Sequence, residues 1–290
     1  MLDFTLKTYK SLLEAFRTAG YSFFTFEEYC DGARAERMVV LRHDVDLRPG
    51  NSLRTAELEH ELGIKATYYF RAVPESLDQE VLLRIAELEH EIGYHYESLT
   101  TCGGDVEAAY TDFCANLAMI RLLAPVRTIC MHGSPRSPYD SKDIWKRYSY
   151  KGLGLVGEPY MDTDFMDMFY LTDTGRCWDG FKVSVRDKIP ERQDDWVCEG
   201  LVYHSTSDLI AAIDGLQSQP AAVSAQDRAP SQASQSRPFS GPAQERALHP
   251  LPPHLMMTTH PQRWTSAFIP WLKELVMQNL KNVVKKGLAK

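Results

Sequence analysis

Two nearly identical phrases, thirty residues apart, limit most strongly what this chain can fold into: residues 56–63 read AELEHELG and residues 86–93 read AELEHEIG. Each has apolar residues at helical spacing, ends at a glycine suited to the left-handed position that closes a helix, and precedes a β-rich run. A spacing near thirty residues matches one strand–helix unit, so the phrases read as successive turns of a wound α/β structure.

The rest of the chain keeps that alternation. Strands are expected at 38–42, 65–71, near 91–94, and at 128–131, 152–157, 169–171, 201–203 and 255–258. Helices are expected at 51–62, around Val81, Ile85 and Leu88, around Val106, Ala109, Phe113, Leu117 and Ile120, and near 207–213. Residues 4–16 form an amphipathic docking helix. The last helix starts near Thr265 and carries Phe268, Leu272, Leu275, Leu280 and Val283 on one face. Parallel strands with intervening helices either close into a barrel or spread as an open doubly wound sheet. Residues 217–253, mostly Gln, Ser, Ala and Pro, cannot bury enough apolar surface to offset their ordering entropy. They are expected to be a disordered insertion within a single domain spanning residues 1–290.

Composition excludes some partners. A chain of 290 residues with 44% hydrophobic and 24% charged residues is of globular type, and its net charge of −7 opposes nucleic-acid binding. No apolar run reaches the roughly 18 residues of a transmembrane span. With no export-type segment at its start and six scattered cysteines lacking a CxxC pair, the chain is expected to be cytoplasmic with reduced thiols. The lysines at 281, 285, 286 and 290 read as a helix C-terminus complementing its dipole.

Chemically capable side chains fall at the C-terminal ends of the expected strands. Arg42, His43, Asp44 and Asp46 end one; His95 and Glu97 end another; His132, Glu158, Asp173, His204 and His260 follow five more. In parallel α/β folds those ends converge on one face, where active sites are assembled. Alternation along an extended chain puts Asp44 and Asp46 on one side, and likewise His95 and Glu97. Clustered carboxylates and imidazoles suit Zn²⁺, Mn²⁺, Co²⁺, Fe²⁺ or Ni²⁺. His43 is expected to support Asp44 by hydrogen bonding, and Trp178, Tyr160 and Trp264 are candidates for stacking on a sugar ring. His60 and His90 read as helix-surface residues. Cys130 beside His132 suggests a thiol–imidazole pair, but a buried free thiol is usually inert.

The phrases Arg42-His43-Asp44-Val45-Asp46 and His90-Glu91-Ile92-Gly93-Tyr94-His95, with the apolar run ending at His260, resemble the motifs of the NodB-type polysaccharide deacetylases. These carbohydrate esterases remove acetyl groups from N-acetylated sugars. The resemblance implies a distorted (β/α)₇ barrel and a divalent metal, most commonly zinc. It implies Asp46 and His95 as metal ligands, Asp44 as the catalytic base and His260 as the general acid. The family's second metal histidine falls at Leu99, so Glu97 or His132 is expected to supply the third ligand. The family's arginine motif is replaced around His132-Gly133-Ser134-Pro135, with Arg136-Ser137-Pro138-Tyr139 a looser match. Arg42, Glu158, Asp173 and Trp178, like His43, are expected either to bind substrate or to support the ligands and catalytic groups from behind.

The leading expectation is therefore a metal-dependent hydrolase of carbohydrate metabolism, cleaving an acetamide or related amide on a sugar-like small molecule or oligosaccharide. Its rivals are a catalytically lapsed barrel that binds carbohydrate, motivated by Leu99, and another metal hydrolase such as a phosphoesterase. The absence of a glycine-rich phosphate cradle counts against the last.

Overall fold

A computed structural model describes residues 2–134, 137–178, 184, 187–217 and 251–288. Except at its ends, the expected insertion 217–253 lies outside the described residues, and so do Pro135 and Arg136 of the looser arginine match.

The chain runs α1 (Leu6–Thr18), β1 (Ser22–Phe24), α2 (Phe26–Cys30), β2 (Met38–Val45), α3 (Pro49–Glu61), β3 (Thr67–Phe70), α4 (Gln79–Glu87), β4 (Glu91–Tyr96), α5 (Ser98–Thr101), α6 (Val106–Arg121) and β5 (Ile129–Met131). It continues through α7 (Pro159–Asp162), β6 (Phe169–Thr172), α8 (Pro190–Cys198), α9 (Thr206–Gln217), β7 (His254–Thr259) and α10 (Phe268–Leu288). Among the described residues seven strands form one sheet, six of them in the order β5-β4-β3-β2-β7-β6 with β1 beside β2, every pairing parallel. Strands β1 and β3 share one edge of β2: β1 pairs with Met38–Val40 and β3 with Arg42–Val45. The result is the expected distorted α/β barrel, curled but open between β5 and β6.

Strand β2 is buried along its whole length: apolar Met38–Leu41 and Val45 pack in the core, and Arg42, His43 and Asp44 are covered as well. Helix α1 docks as expected, with Tyr9, Leu12, Leu13 and Phe16 buried against the barrel. Its Thr5 caps the first turn by accepting from the Thr8 backbone N–H. Asp78 and Asp105 do the same for α4 and α6.

Several expectations need correction. Residues 152–157 do not form a strand: Lys151–Leu153 make a 3₁₀ turn, Gly154 takes φ +74°, and Gly157 makes only one bridge, to Thr128. Residues 201–203 are not a strand either, although Leu201 and Tyr203 are buried and the Tyr203 carbonyl accepts from the Trp178 backbone N–H at 3.1 Å. Residues 190–198, for which the sequence suggests no element, form α8. The two related phrases also differ. The first ends α3, and Gly63 takes φ +67°, as expected; in the second the helix stops at Glu87 and Gly93 lies inside β4.

Candidate metal centre

Alternation along β2 decides which of its polar side chains can meet. Arg42 and Asp44 point into the barrel, and Asp46 follows just beyond the strand end; His43 points the opposite way. There His43 Nδ1 lies 2.6 Å from Thr259 Oγ1, and Nε2 lies 2.8 Å from Glu59 Oε1 of α3. His43 therefore ties β2 to the outer helix layer, which corrects its expected place beside Asp44.

Strand register brings the remaining groups to the same rim. Asp44 pairs with Tyr69, Tyr69 with Gly93, and His95 with Cys130. The Tyr69 ring lies so close over Gly93 that a Cβ there would overlap it. His95 Nδ1 is 2.9 Å from the Cys130 carbonyl oxygen. A carbonyl can only accept, so Nδ1 carries the proton and Nε2 presents its lone pair to the site. His132 directly follows β5 and is fixed by its backbone N–H donating to the Tyr96 carbonyl at 2.8 Å.

At this rim the ligand-type atoms of Asp46, His95 and His132 all lie within 4.8 Å of one another. Asp46 Oδ1 is 3.1 Å from His132 Nδ1 and 3.6 Å from His95 Nε2, and the two ring nitrogens are 3.2 Å apart. Asp46 Oδ1 is buried with no hydrogen-bond partner. Its other oxygen accepts from Gln262 Nε2 at 3.1 Å. Burial alone would raise the Asp46 carboxyl, but the imidazoles of His132, His95 and His260 hold it well below the usual carboxylate range. A carboxylate whose one buried oxygen lacks a hydrogen bond and faces two imidazole nitrogens is a donor set that fits a divalent transition metal.

A second overlapping group joins Asp44, His95 and Cys130. Burial pushes the Cys130 thiol well above its ordinary range, so it stays protonated and is a poor ligand. Of the two candidates for a third ligand, the geometry brings in His132. Glu97 Oε1 instead accepts from Arg71 Nε at 3.0 Å and Nη2 at 2.6 Å, while its Oε2 lies 4.0 Å from His132 Nε2. Glu97 thus stands behind His132 rather than among the converging atoms. Leu99 is buried apolar core.

Two groups flank the three. Asp44 Oδ2 accepts from Arg42 Nη2 at 3.3 Å and lies 3.8 Å from His95 Nε2; its Oδ1 is buried without a hydrogen bond. On the other side His260 Nε2 lies 3.9 Å from Asp46 Oδ2. His260 Nδ1 is 2.6 Å from Asp173 Oδ1, and the His260 backbone N–H donates to Asp173 Oδ2 at 2.9 Å. Trp264 Nε1 and Arg263 also donate to Asp173. Burial opposes ionisation of Asp173, but Arg263 and His260 outweigh it and bring the carboxyl down to about 2. For His260, burial and Arg263 both disfavour protonation; Asp173 and Asp46 overcome them and the imidazole is raised.

The other expected site residues are engaged with partners of their own. Glu158 accepts from the backbone N–H groups of Met131 at 3.0 Å and Tyr160 at 2.7 Å, tying α7 to β5; burial pushes it up to about 7. Trp178 is buried, donating to Thr206 Oγ1 at 3.0 Å, and Trp264 is buried too, so neither offers a face for stacking. Tyr160 uses its hydroxyl on Arg42 and Asp187. His204 is exposed, before α9, where its backbone N–H donates to Asp208. Sequence reasoning missed Arg71, Gln262, Arg263 and Asp187. Arg71 was findable, because it ends β3 on the same rim as the others. Arg71 Nη1 also donates to the Asp46 carbonyl at 3.1 Å, bracing the turn that carries the carboxylate.

The fold and this rim define an α/β barrel with a candidate metal centre at its strand C-termini. No family model matches the chain, and no curated protein does. Among solved structures it is similar to a family 4 carbohydrate esterase from Bacillus anthracis, at 14% identity over 71% of this chain and 84% of that one, with a TM-score of 0.35.

Proposed function

We propose that the protein is a metal-dependent hydrolase that deacylates an N-acetylated sugar or a related amide. The observation that carries this reading is Asp46 Oδ1, buried without a hydrogen bond and facing two imidazoles, with a carboxylate on one flank and an Asp-backed histidine on the other. Asp46, His95 and His132 would hold a divalent cation, and zinc suits two imidazoles and a carboxylate. When bound, the cation supplies Lewis acidity at the acyl carbonyl and lowers the pKa of water at the site.

The chain's own residues divide the remaining work. Asp44 Oδ1, free of hydrogen bonds, accepts a proton from the attacking water, while Arg42 holds its other oxygen. The water oxygen bonds to the acyl carbon and the C–N bond breaks. His260 Nε2 delivers a proton to the departing nitrogen, and Asp173 fixes the ring so that Nε2 faces the site. Tight burial of Trp178 and Trp264 leaves sugar recognition to other groups on the rim.

Elemental analysis of the purified protein tests this first. Near-stoichiometric metal is expected in the wild type and its loss in Asp46→Ala and His95→Ala. His260→Ala should keep its metal while acetate release from N-acetylated sugars falls by about 10²–10⁴-fold. A wild-type protein that takes up no metal after reconstitution would end the hydrolase reading and leave that of a carbohydrate-binding barrel.

A further inference from the structure

Gln262 is a buried amide whose two ends are treated differently. It sits in the 3₁₀ turn Pro261–Arg263, which follows β7 and His260. Its Nε2 donates to Asp46 Oδ2 at 3.1 Å, while its Oε1 is buried with no hydrogen bond. A carboxylate oxygen only accepts, so the amide nitrogen is the end that must face Asp46, and the oxygen is left over. An unpaired buried acceptor costs stability, and an apolar side chain of the same size would fill the position without that cost. What Gln262 contributes is therefore its hold on Asp46. The turn that carries it is braced from both sides: Asn51 Nδ2 of α3 donates to the Pro261 and Trp264 carbonyls at 3.4 and 3.5 Å, and Arg263 and Trp264 donate to Asp173.

That hold sorts the two oxygens of Asp46. Oδ1 lies 3.1 Å from His132 Nδ1 and 3.6 Å from His95 Nε2, and Oδ2 is the oxygen bonded to Gln262. The Asp46 backbone is fixed separately, its N–H donating to the Asp44 carbonyl at 3.0 Å and its own carbonyl accepting from Arg71 at 3.1 Å. What is left is the rotation of the carboxylate, and Gln262 sets it. A carboxylate with both oxygens free grips an ion with the pair, which suits cations of high coordination number such as Mn²⁺ or Ca²⁺. One oxygen alone suits a small four-coordinate ion such as Zn²⁺. We propose that Gln262 is the positioning residue that makes Asp46 a one-oxygen ligand, and that it thereby sets the affinity and the preference of the centre for a small tetrahedral cation. This role presupposes the metal-binding reading of Asp46, His95 and His132, and adds to it the choice of ion.

Titration of the chelator-treated full chain with Zn²⁺ and with Mn²⁺, in the wild type and in Gln262→Met, tests this without any substrate. Methionine is unbranched and of similar length, so circular dichroism and melting of the metal-free proteins should match. Zinc affinity should fall by about 10–100-fold in the variant. Manganese affinity should fall less, so that the zinc-over-manganese ratio narrows. The visible spectrum of the Co²⁺-loaded protein should change from the intense bands of four-coordination to the weak bands of higher coordination. A crystal structure of the zinc-loaded wild type checks the same point with no variant: Asp46 should bind through Oδ1 alone, with Oδ2 still on Gln262. Asp46 bound through both oxygens, or a variant with unchanged zinc affinity and an unchanged ratio, would overturn the proposal and leave the metal centre standing. A variant that loses metal-free stability and zinc affinity together while keeping the ratio would reduce Gln262 to packing. A wild type that takes up no ion removes the centre and this role with it.

Discussion

Residues 56–63 and 86–93 differ only at Leu62 and Ile92, yet they fold into different structures. In the first, α3 runs on to Glu61 and Gly63 closes it in the left-handed region. In the second, α4 stops at Glu87, Glu89 takes φ +66°, and Glu91–Tyr96 become β4. Burial inverts in step. Glu59 is buried where Glu89 is exposed; His60 and Glu61 are exposed where His90 and Glu91 are buried. The two segments even touch: His90 Nε2 lies 3.0 Å from the Ala56 carbonyl, and His60 Nδ1 lies 3.1 Å from the Leu88 carbonyl. Their starts are thirty residues apart, but α3 has 13 residues and α4 has 9, about one turn fewer. That turn is given up to β4, which pairs with β3 from Thr67 onward and with β5 at Tyr94–Tyr96. The Tyr94-His95-Tyr96 run directly after the second octapeptide, which the sheet can bury, decides its conformation.

The largest expected contrast is at the first acid. Glu59 accepts from Tyr9 at 2.5 Å and Tyr68 at 2.7 Å and pairs with His43. Glu59→Ala strands those groups in the core and should cost about 3–5 kcal/mol in denaturant unfolding. The equivalent Glu89→Ala sits on the surface and should cost less than about 1 kcal/mol. Comparable losses at both positions would mean that the two phrases are not built differently.

The second contrast is in pH dependence. Glu91 accepts from Thr67 Oγ1, Thr128 Oγ1 and the Glu27 backbone N–H, and burial nonetheless raises it to about 7. A carboxyl raised on folding binds its proton more tightly in the native state. Its contribution is therefore fully present below the unfolded pKa and is lost as pH rises from about 4.5 to about 7, a loss on the order of 3 kcal/mol. Glu91→Gln should flatten the stability profile in that window, read as denaturant unfolding at a series of pH values. Glu158, raised similarly, will keep some slope in the Glu91 variant.

The smallest contrast separates the glycines. Alanine at Gly93 would push into the Tyr69 ring and should cost about 1–3 kcal/mol. At Gly63, where there is open space but φ is +67°, the cost should be about 1 kcal/mol from backbone strain alone. Tyr69→Ala combined with Gly93→Ala should recover part of the packing penalty only at the first site.

Most of the candidate site was legible because strand ends are local. A polar residue that breaks an apolar run marks the rim of a parallel barrel whichever strands turn out to be neighbours. Asp44, Asp46, His95, His132 and His260 were all found that way. The choice between His132 and Glu97 was not legible, because it depends on Arg71, a residue of another strand, reaching Glu97 first. His43 was misread because one step along β2 reverses the side-chain direction, and only the packing of α3 shows that the outer side holds a carboxylate waiting for it.

By itself the sequence determined the parallel α/β class, the rim on which reactive groups gather and the periodicity of most helices, since apolar spacing and strand ends are properties of short stretches. Tertiary structure alone decided where α4 ends, which histidines are buried, that His132 rather than Glu97 stands beside Asp46 and His95, and that the apolar side of α10, with Ile269 and Val283, faces outward. Each of these depends on which distant strand or helix arrives alongside, and an octapeptide with either fate carries no local record of that.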